Sequence, residues 1–292
     1  MKLKVLVLGS TGLIGHQVYN YLDATKKYNL SNITYRKKLN KKTIICDIRN
    51  DKEFLEIIRT ISPDIIINCV GILINGANLD PENAIFINAF MPHRLNRLAN
   101  ELESKLIHLS TDCVFSGEKG VSYIEDDFKD GKDNYAKSKG LGEIINENHL
   151  TLRTSVIGPE LKTDGEELFH WFMSQSGKID GYTGAIWSGV TTIQLAKAVN
   201  WAIQNNITGL YHVTNNDVIS KYDLLCLIKK YFKKRIEITP IIGKNINKSF
   251  IDTRRELDYN VPNYETMIEE MKEWMLDYGE LYKHYNLITN KK

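Results

Sequence analysis

Cysteine is scarce in this sequence, and neither a charge excess nor a long apolar run is present. Four cysteines occur among 292 residues, Cys46, Cys69, Cys113 and Cys226. None stands at the spacing of a zinc or redox pair, so no metal site is expected. Cys46 and Cys69 lie in apolar, strand-like runs, and a reducing cytoplasm is the simplest setting for them. Lysine and arginine (38) nearly balance aspartate and glutamate (36), leaving a net charge of +2. That balance argues against nucleic acid as a partner. No stretch approaches the roughly 20 apolar residues of a membrane span, so no membrane partner is expected. The opening residues, with Lys2 and Lys4 before a short apolar core, look like a signal peptide, but they turn straight into a glycine motif. Repeats, low-complexity tracts and linkers are also missing.

What is present is ordinary for a globule: 42% hydrophobic and 25% charged residues, enough apolar mass for a core. Apolar runs alternate with helical patterns. Strands are expected at Lys4–Leu8, Ile33–Tyr35, Thr43–Cys46, Ile65–Val70, Lys105–Ser110, Leu150–Thr154 and Gly209–Val213. Most are apolar on both faces, as strands covered by helices on both sides must be. Helices are expected at Leu13–Ala24, Lys52–Thr60, Ala84–Leu102, Tyr135–Asn148 and Thr192–Asn205. This alternation predicts an α/β fold, a Rossmann-type doubly wound parallel sheet. The rhythm fades after Thr154. Gly158–Gly189 reads as loop-rich with one helical stretch. Ser220–Lys234 and Tyr264–Tyr278 read as amphipathic helices around a β-like run at Ile236–Ile242, and Asn290–Lys292 as a frayed tail. The expected division is a dinucleotide-binding domain over residues 1–157, to which 190–215 return, and a smaller substrate-binding region formed by 158–189 and 216–292.

Gly9-Ser10-Thr11-Gly12-Leu13-Ile14-Gly15 follows the first strand and opens the first helix. The first glycine allows a tight turn, the second admits a diphosphate to the backbone, and the third lets helix and sheet pack closely. Thr11, Leu13 and Ile14 then offer helix N-terminal N–H groups to the phosphates. Alone, three glycines also suit a simple turn. The second strand ends in Tyr35-Arg36-Lys37-Lys38, cations where an NAD-selective site presents a carboxylate. Arg36 and Lys37 therefore favour the 2′-phosphate of NADPH, without shutting out NADH. Asp47 and Ile48, after the third strand, are placed beside the adenine.

Tyr135-Ala136-Lys137-Ser138-Lys139 sets a phenol and an ammonium one helical turn apart. One charge at about 4 Å in an effective dielectric of 20 is worth roughly 4 kcal/mol, about three pKa units. The expectation is a Tyr135 phenol brought down toward neutral pH to protonate a developing alkoxide. Ser110-Thr111-Asp112 lies at the carboxyl end of an expected strand, where open sheets bind ligands, so the Thr111 hydroxyl can polarise a substrate carbonyl.

These segments, with Ile67-Asn68-Cys69-Val70-Gly71, Ile87-Asn88-Ala89-Phe90, Cys113-Val114-Phe115-Ser116-Gly117, Asn134 through Glu143, Leu152-Arg153-Thr154 and Gly209 through Val213, together resemble the extended short-chain dehydrogenase/reductases. Within these the chain is most similar to the dTDP-4-dehydrorhamnose reductase family. The resemblance implies Thr111, Tyr135 and Lys139 as catalytic residues. It places Cys69, Val70 and Gly71 with the cofactor, and implies hydride transfer to the 4-keto group of a nucleotide-linked 6-deoxyhexose in surface-polysaccharide synthesis. Trp187-Ser188-Gly189-Val190-Thr191-Thr192 stands where the family has a proline-containing substrate loop. That departure leaves sugar and nucleotide open, a UDP-linked analogue included. The family's magnesium-linked dimer contact is not recognisable, and a homodimer is left open. Sugar-nucleotide 4,6-dehydratases carry Thr-Asp-Glu where Cys113 stands here, which disfavours dehydration. Epimerase/reductases of the GDP-fucose synthase type place a cysteine like Cys113 near the catalytic hydroxyl and a histidine acid in the substrate region, for which His170 is the candidate. The alternative is that Cys113 packs and His170 lies on a helix face. Non-catalytic NADP-binding regulatory subunits, one of which partners methionine adenosyltransferase, are also similar in fold. The presence of all three catalytic residues speaks against that role.

Overall fold

A computed structural model describes residues 1–254, 256 and 258–287; the expected tail Asn290–Lys292 lies outside them. Seven parallel strands form the central sheet: β1 (Lys4–Leu8), β2 (Asn29–Thr34), β3 (Thr43–Ile45), β4 (Ile65–Asn68), β5 (Lys105–Thr111), β6 (Leu150–Thr154) and, after two further strands, β9 (Gly209–His212). Their order is β9-β6-β5-β4-β1-β2-β3, so the chain winds outward from β1 and then restarts at β4 on its other side. The carboxyl ends of β1 and β4 flank the switch point, where such sheets open a crevice. The central strands β1 and β4 are apolar on both faces because a layer covers each. One core cluster joins Val5, Val7, Ile67 and Ile107 to α1 (Leu13–Thr25). The other joins Leu6, Leu8, Ile66 and Leu106 to α2 (Asp51–Ile61) and α3 (Met91–Glu101).

Three boundaries differ from expectation by three residues or more. β2 starts at Asn29 rather than Ile33, because its polar Asn32 is paired inside, accepting from Ser10 Oγ at 2.7 Å. The helix expected at Ala84–Leu102 starts at Pro81 and passes through a π-turn at Ile85–Phe90 before α3. The helix expected to reach Asn148 is α4 (Asn134–Leu141). It ends at Gly142, where the backbone packs so close to the π-turn that a Cβ would lie 1.8 Å from the Asn88 carbonyl oxygen.

The segments after Thr154 pair mainly with one another. Following α5 (Leu168–Ser174), β7 (Gly177–Tyr182) pairs in parallel with β11 (Ile236–Ile241). β8 (Ala185–Trp187) pairs with β10 (Ile219–Ser220). Between them α6 (Thr192–Gln204) packs on α1, and β9 extends the central sheet. Helices α7 (Lys221–Phe232) and α8 (Tyr264–Asp277) close this side. Phe169, Leu224 and Met267 belong to the same cluster as Val5 and Val18. The smaller region therefore shares a core with the sheet rather than owning one. Among the described residues no helix is long and apolar enough to cross a membrane.

Candidate active site

The glycine turn is shaped by what it cannot accommodate. Gly9 has φ +76°, and a Cβ there would meet Cys69 backbone at 3.2 Å and Val70 at 3.1 Å. A Cβ at Gly15 would lie 2.2 Å from the Gly9 carbonyl oxygen. The turn thus closes on itself and against Cys69–Val70. Gly12 enters α1 in an extended conformation with no side-chain cap, and the first turn of α1 holds no acid. The N–H groups that open α1 therefore face the crevice free of side-chain competitors, a fit for a dinucleotide diphosphate. Gly71 is exposed beside them.

At the end of β2 the cations are arranged around an aromatic ring. Arg36 lies 4.4 Å and Arg49 5.2 Å from the Tyr35 ring centroid. Arg49 Nη2 also donates to the Tyr35 hydroxyl at 2.7 Å and to Asp47 at 2.6 Å. Asp47 is therefore engaged by Arg49, which holds its carboxyl below the usual range. Arg49 carried no spacing signal in the sequence. Lys37 is exposed, with its carbonyl accepting from Thr34. Ile48 is buried in a core cluster with Phe54 and Leu55, so it offers little surface to a base.

Thr111, Tyr135 and Lys139 converge on the end of β5. Asp133 caps α4 by accepting from Ala136 N–H at 2.7 Å, and this fixes where Tyr135 and Lys139 emerge. The Tyr135 phenol lies near the Thr111 hydroxyl. Thr111 Oγ1 also donates to Asp112 and accepts from Cys113 N–H, each at 3.1 Å. The electrostatics differ from expectation. Burial pushes the phenol up, and the neighbouring Cys113 adds to that. The Lys139 ammonium donates to the Leu109 carbonyl at 2.7 Å. Burial brings Lys139 down to about 8, opposed by Glu143 and Cys69. Asn88, inside the π-turn, accepts from Ile72 N–H at 2.8 Å and bonds Ser138 at 3.1 Å. It clamps the loop after β4 to α4, and π-turns of this kind are frequent at functional sites. Beneath, the buried Glu143 accepts from Ser110 at 2.7 Å and from Arg153 at 2.9 Å and 2.8 Å.

Around Asp112 and Cys113 the structure brings together groups that sequence reasoning missed. Lys221, at the start of α7, lies 5.2 Å from the Trp187 ring centroid. It is close enough to Asp112, Cys113 and Glu167 for their charges to act on it. Lys248 acts on Asp112 and Cys113 in the same way. Burial raises Asp112 and Glu167. Trp187 is itself buried and donates to Ser155 Oγ at 2.7 Å. Cys113 lies beside Tyr135, with its thiol pushed up to about 12 by burial and then by Asp112. His170 is directed elsewhere, with Nδ1 2.9 Å from the Tyr285 hydroxyl and its ring against His284.

Residues 3–256 match the profile of the RmlD substrate binding domain. The dTDP-4-dehydrorhamnose reductase of Escherichia coli (strain K12) is 26% identical over 250 residues, covering 80% of this chain and 79% of that protein. Methionine adenosyltransferase 2 subunit beta of Mus musculus is 24% identical over 262 residues, 82% and 77% of the two chains. Among solved structures, dTDP-4-dehydrorhamnose reductase of Bacillus anthracis str. Ames in complex with NADP superposes with a TM-score of 0.79 at 23% identity, over 93% of this chain and 99% of that one.

Proposed function

The chain belongs to the RmlD substrate binding domain family, and from that premise we propose that it is an NADPH-dependent reductase of a nucleotide-linked 4-keto-6-deoxyhexose, such as dTDP-4-dehydrorhamnose or a UDP-linked analogue. The observation that carries this reading is the meeting of Tyr135 and Thr111 at the end of β5, with Lys139 one turn along α4. Gly9, Thr11, Gly12, Leu13, Ile14 and Gly15 would hold the diphosphate, and Arg36, Lys37 and Arg49 the 2′-phosphate. When bound, NADPH supplies the hydride. Thr111 orients the keto oxygen by hydrogen bonding, and Tyr135, kept protonated by burial, gives that oxygen its proton. Lys139 stands ready to bind hydroxyls near Tyr135. Residues 158–189 and 216–292 form the sugar-nucleotide side, with Lys221 and Lys248 as its cations. We place the reaction in the cytoplasm, in keeping with four free cysteines.

The similarity to methionine adenosyltransferase 2 subunit beta favours one other reading, a non-catalytic NADP-binding subunit. The two separate in one assay: NADPH oxidation with dTDP-, UDP- and GDP-linked 4-keto-6-deoxyhexoses. Turnover with at least one is expected. Tight NADPH binding without turnover on any of them would favour the regulatory reading.

A further inference from the structure

The last described turn of the chain, residues 279–285, lies beyond the matched family profile and touches both sides of the cleft. Tyr282 is 1% exposed, and its hydroxyl is 2.9 Å from His16 Nε2. The other ring nitrogen, His16 Nδ1, is 2.8 Å from the Gly12 carbonyl oxygen. A carbonyl can only accept, so Nδ1 carries the proton and Nε2 accepts from Tyr282. Gly12 is the residue at which α1 opens. Three positions later, the Tyr285 hydroxyl accepts from the Glu160 N–H at 2.9 Å and meets His170 at 2.9 Å. Glu160 in turn accepts from the Glu167 N–H at 2.9 Å, and Glu167 is the carboxyl that faces Asp112 and Lys221.

We propose that Tyr282 and Tyr285 are positioning residues: through His16, Tyr282 sets the carbonyl of the phosphate-binding turn, and through Glu160, Tyr285 sets the substrate-side segment that carries Glu167. One terminal turn thus fixes the separation of the two walls. The Gly12 carbonyl already fixes the proton on Nδ1; the Tyr282 hydroxyl adds the partner of Nε2 and so pins the ring at its other end. Without it, the ring that holds the Gly12 carbonyl loses one of its two anchors. The inference rests on the cofactor assignment of the preceding subsection.

Tyr282→Phe and Tyr285→Phe remove one oxygen each and keep the rings. NADPH affinity, measured by fluorescence titration, should fall about 3–10-fold in Tyr282→Phe, the worth of one buried hydrogen bond, and stay within about twofold in Tyr285→Phe. In turnover, Tyr282→Phe should raise KM for NADPH without changing kcat, and Tyr285→Phe should raise KM for the sugar nucleotide instead. Amide exchange without ligand should quicken over Gly9–Gly15 in the first variant and over Gly158–Glu167 in the second. Should Tyr282→Phe fail to fold, His16→Asn cuts the same link and should show the same loss. Unchanged NADPH affinity and exchange in Tyr282→Phe, or the same changes in both variants, would overturn the proposal. If the unmodified chain binds no NADPH, the cofactor reading falls, while the exchange contrast still decides the role of the two tyrosines.

Discussion

The two walls of the cleft are built by different means. The proposed cofactor wall is made of backbone: Gly9, Gly12 and Gly15 matter for the Cβ atoms they lack, and a methyl at Gly15 would meet a carbonyl at 2.2 Å. The proposed substrate wall is made of side chains brought together from distant segments, Asp112, Glu167, Trp187, Lys221 and Lys248, in part through the pairing of β8 with β10. A backbone site has few chemical solutions, because phosphate bound by N–H groups requires glycine at fixed intervals. A side-chain site has many, and it can change specificity without changing fold.

The largest test of this contrast removes a single oxygen between the walls. Tyr135→Phe keeps the ring in its buried place and deletes the proton donor. Turnover should fall by about 10²–10⁴, the usual worth of a positioned general acid, with NADPH affinity nearly unchanged. Steady-state rates and a cofactor titration on the same preparation check this. Turnover near that of the unmodified chain would mean that the proton comes from elsewhere.

Acid should damage the cofactor wall. Burial lowers His16 and His212 to about 4 from 6.5. His16 supports Gly12, and His212 accepts from Arg153 at 2.7 Å, which in turn holds Glu143 beneath Ser110. Between pH 6.5 and 4 the unfolded chain binds more protons at these sites than the folded one. Stability is therefore full above 6.5 and falls as pH drops toward 4. The loss is up to about 3 kcal/mol per histidine. Denaturant unfolding at pH 7 and 4.5 measures it, and His16→Gln should reduce the slope. A flat profile would show that neither imidazole is held neutral.

Next in size is cofactor choice. NADPH should bind at least about tenfold tighter than NADH if Arg36 and Lys37 meet the 2′-phosphate with charge-assisted bonds of about 1.5–3 kcal/mol each. Replacing both with Ala should remove most of that preference. Arg49→Ala should remove part of it, because Arg49 holds both Tyr35 and Asp47. Equal affinities for the two cofactors in the unmodified chain would refute the assignment.

Legibility followed the same division. The strand β1, the turn and α1 were readable because a short continuous apolar run, three glycines and a helix start follow one another directly. The doubly wound sheet followed from the repetition of that unit. Tyr135 and Lys139 were readable as a pair, but the partner of Lys139, the Leu109 carbonyl, was not, since no side-chain pattern marks a main-chain acceptor. Asn88 was visible only as part of a motif, because its work depends on a π-turn that spacing does not announce. Lys221 and Lys248 were hidden among many solvated lysines, and Arg49 by having no glycine or strand pattern to single it out. His170 was readable as a histidine near the substrate region. Its orientation toward Tyr285 comes from a terminal turn more than a hundred residues away in sequence.

The smallest expected effect belongs to Cys113, and it decides whether the substrate wall adds chemistry or only shape. A thiol beside a keto sugar can act as a base on the adjoining C–H only as thiolate. Here burial and Asp112 push the thiol up to about 12, opposed by Lys248 and by the hydrogen bond to Thr111. At pH 7.5 such a group is almost wholly protonated. The histidine that would return a proton, His170, is bonded to Tyr285 rather than turned to Cys113. Cys113→Ser should therefore change turnover by no more than about two- to threefold, the effect of a part-buried side chain exchanged for one of similar size. In heavy water without NADPH, an accepted substrate should take up no deuterium next to its ketone. Uptake that Cys113→Ser abolishes, with reduction of an already epimerised substrate intact, would instead make the chain an epimerase as well as a reductase. The low-lying thiolate would then have to arise from the nearby cations Lys248 and Lys221, and Lys248→Met should weaken the same uptake.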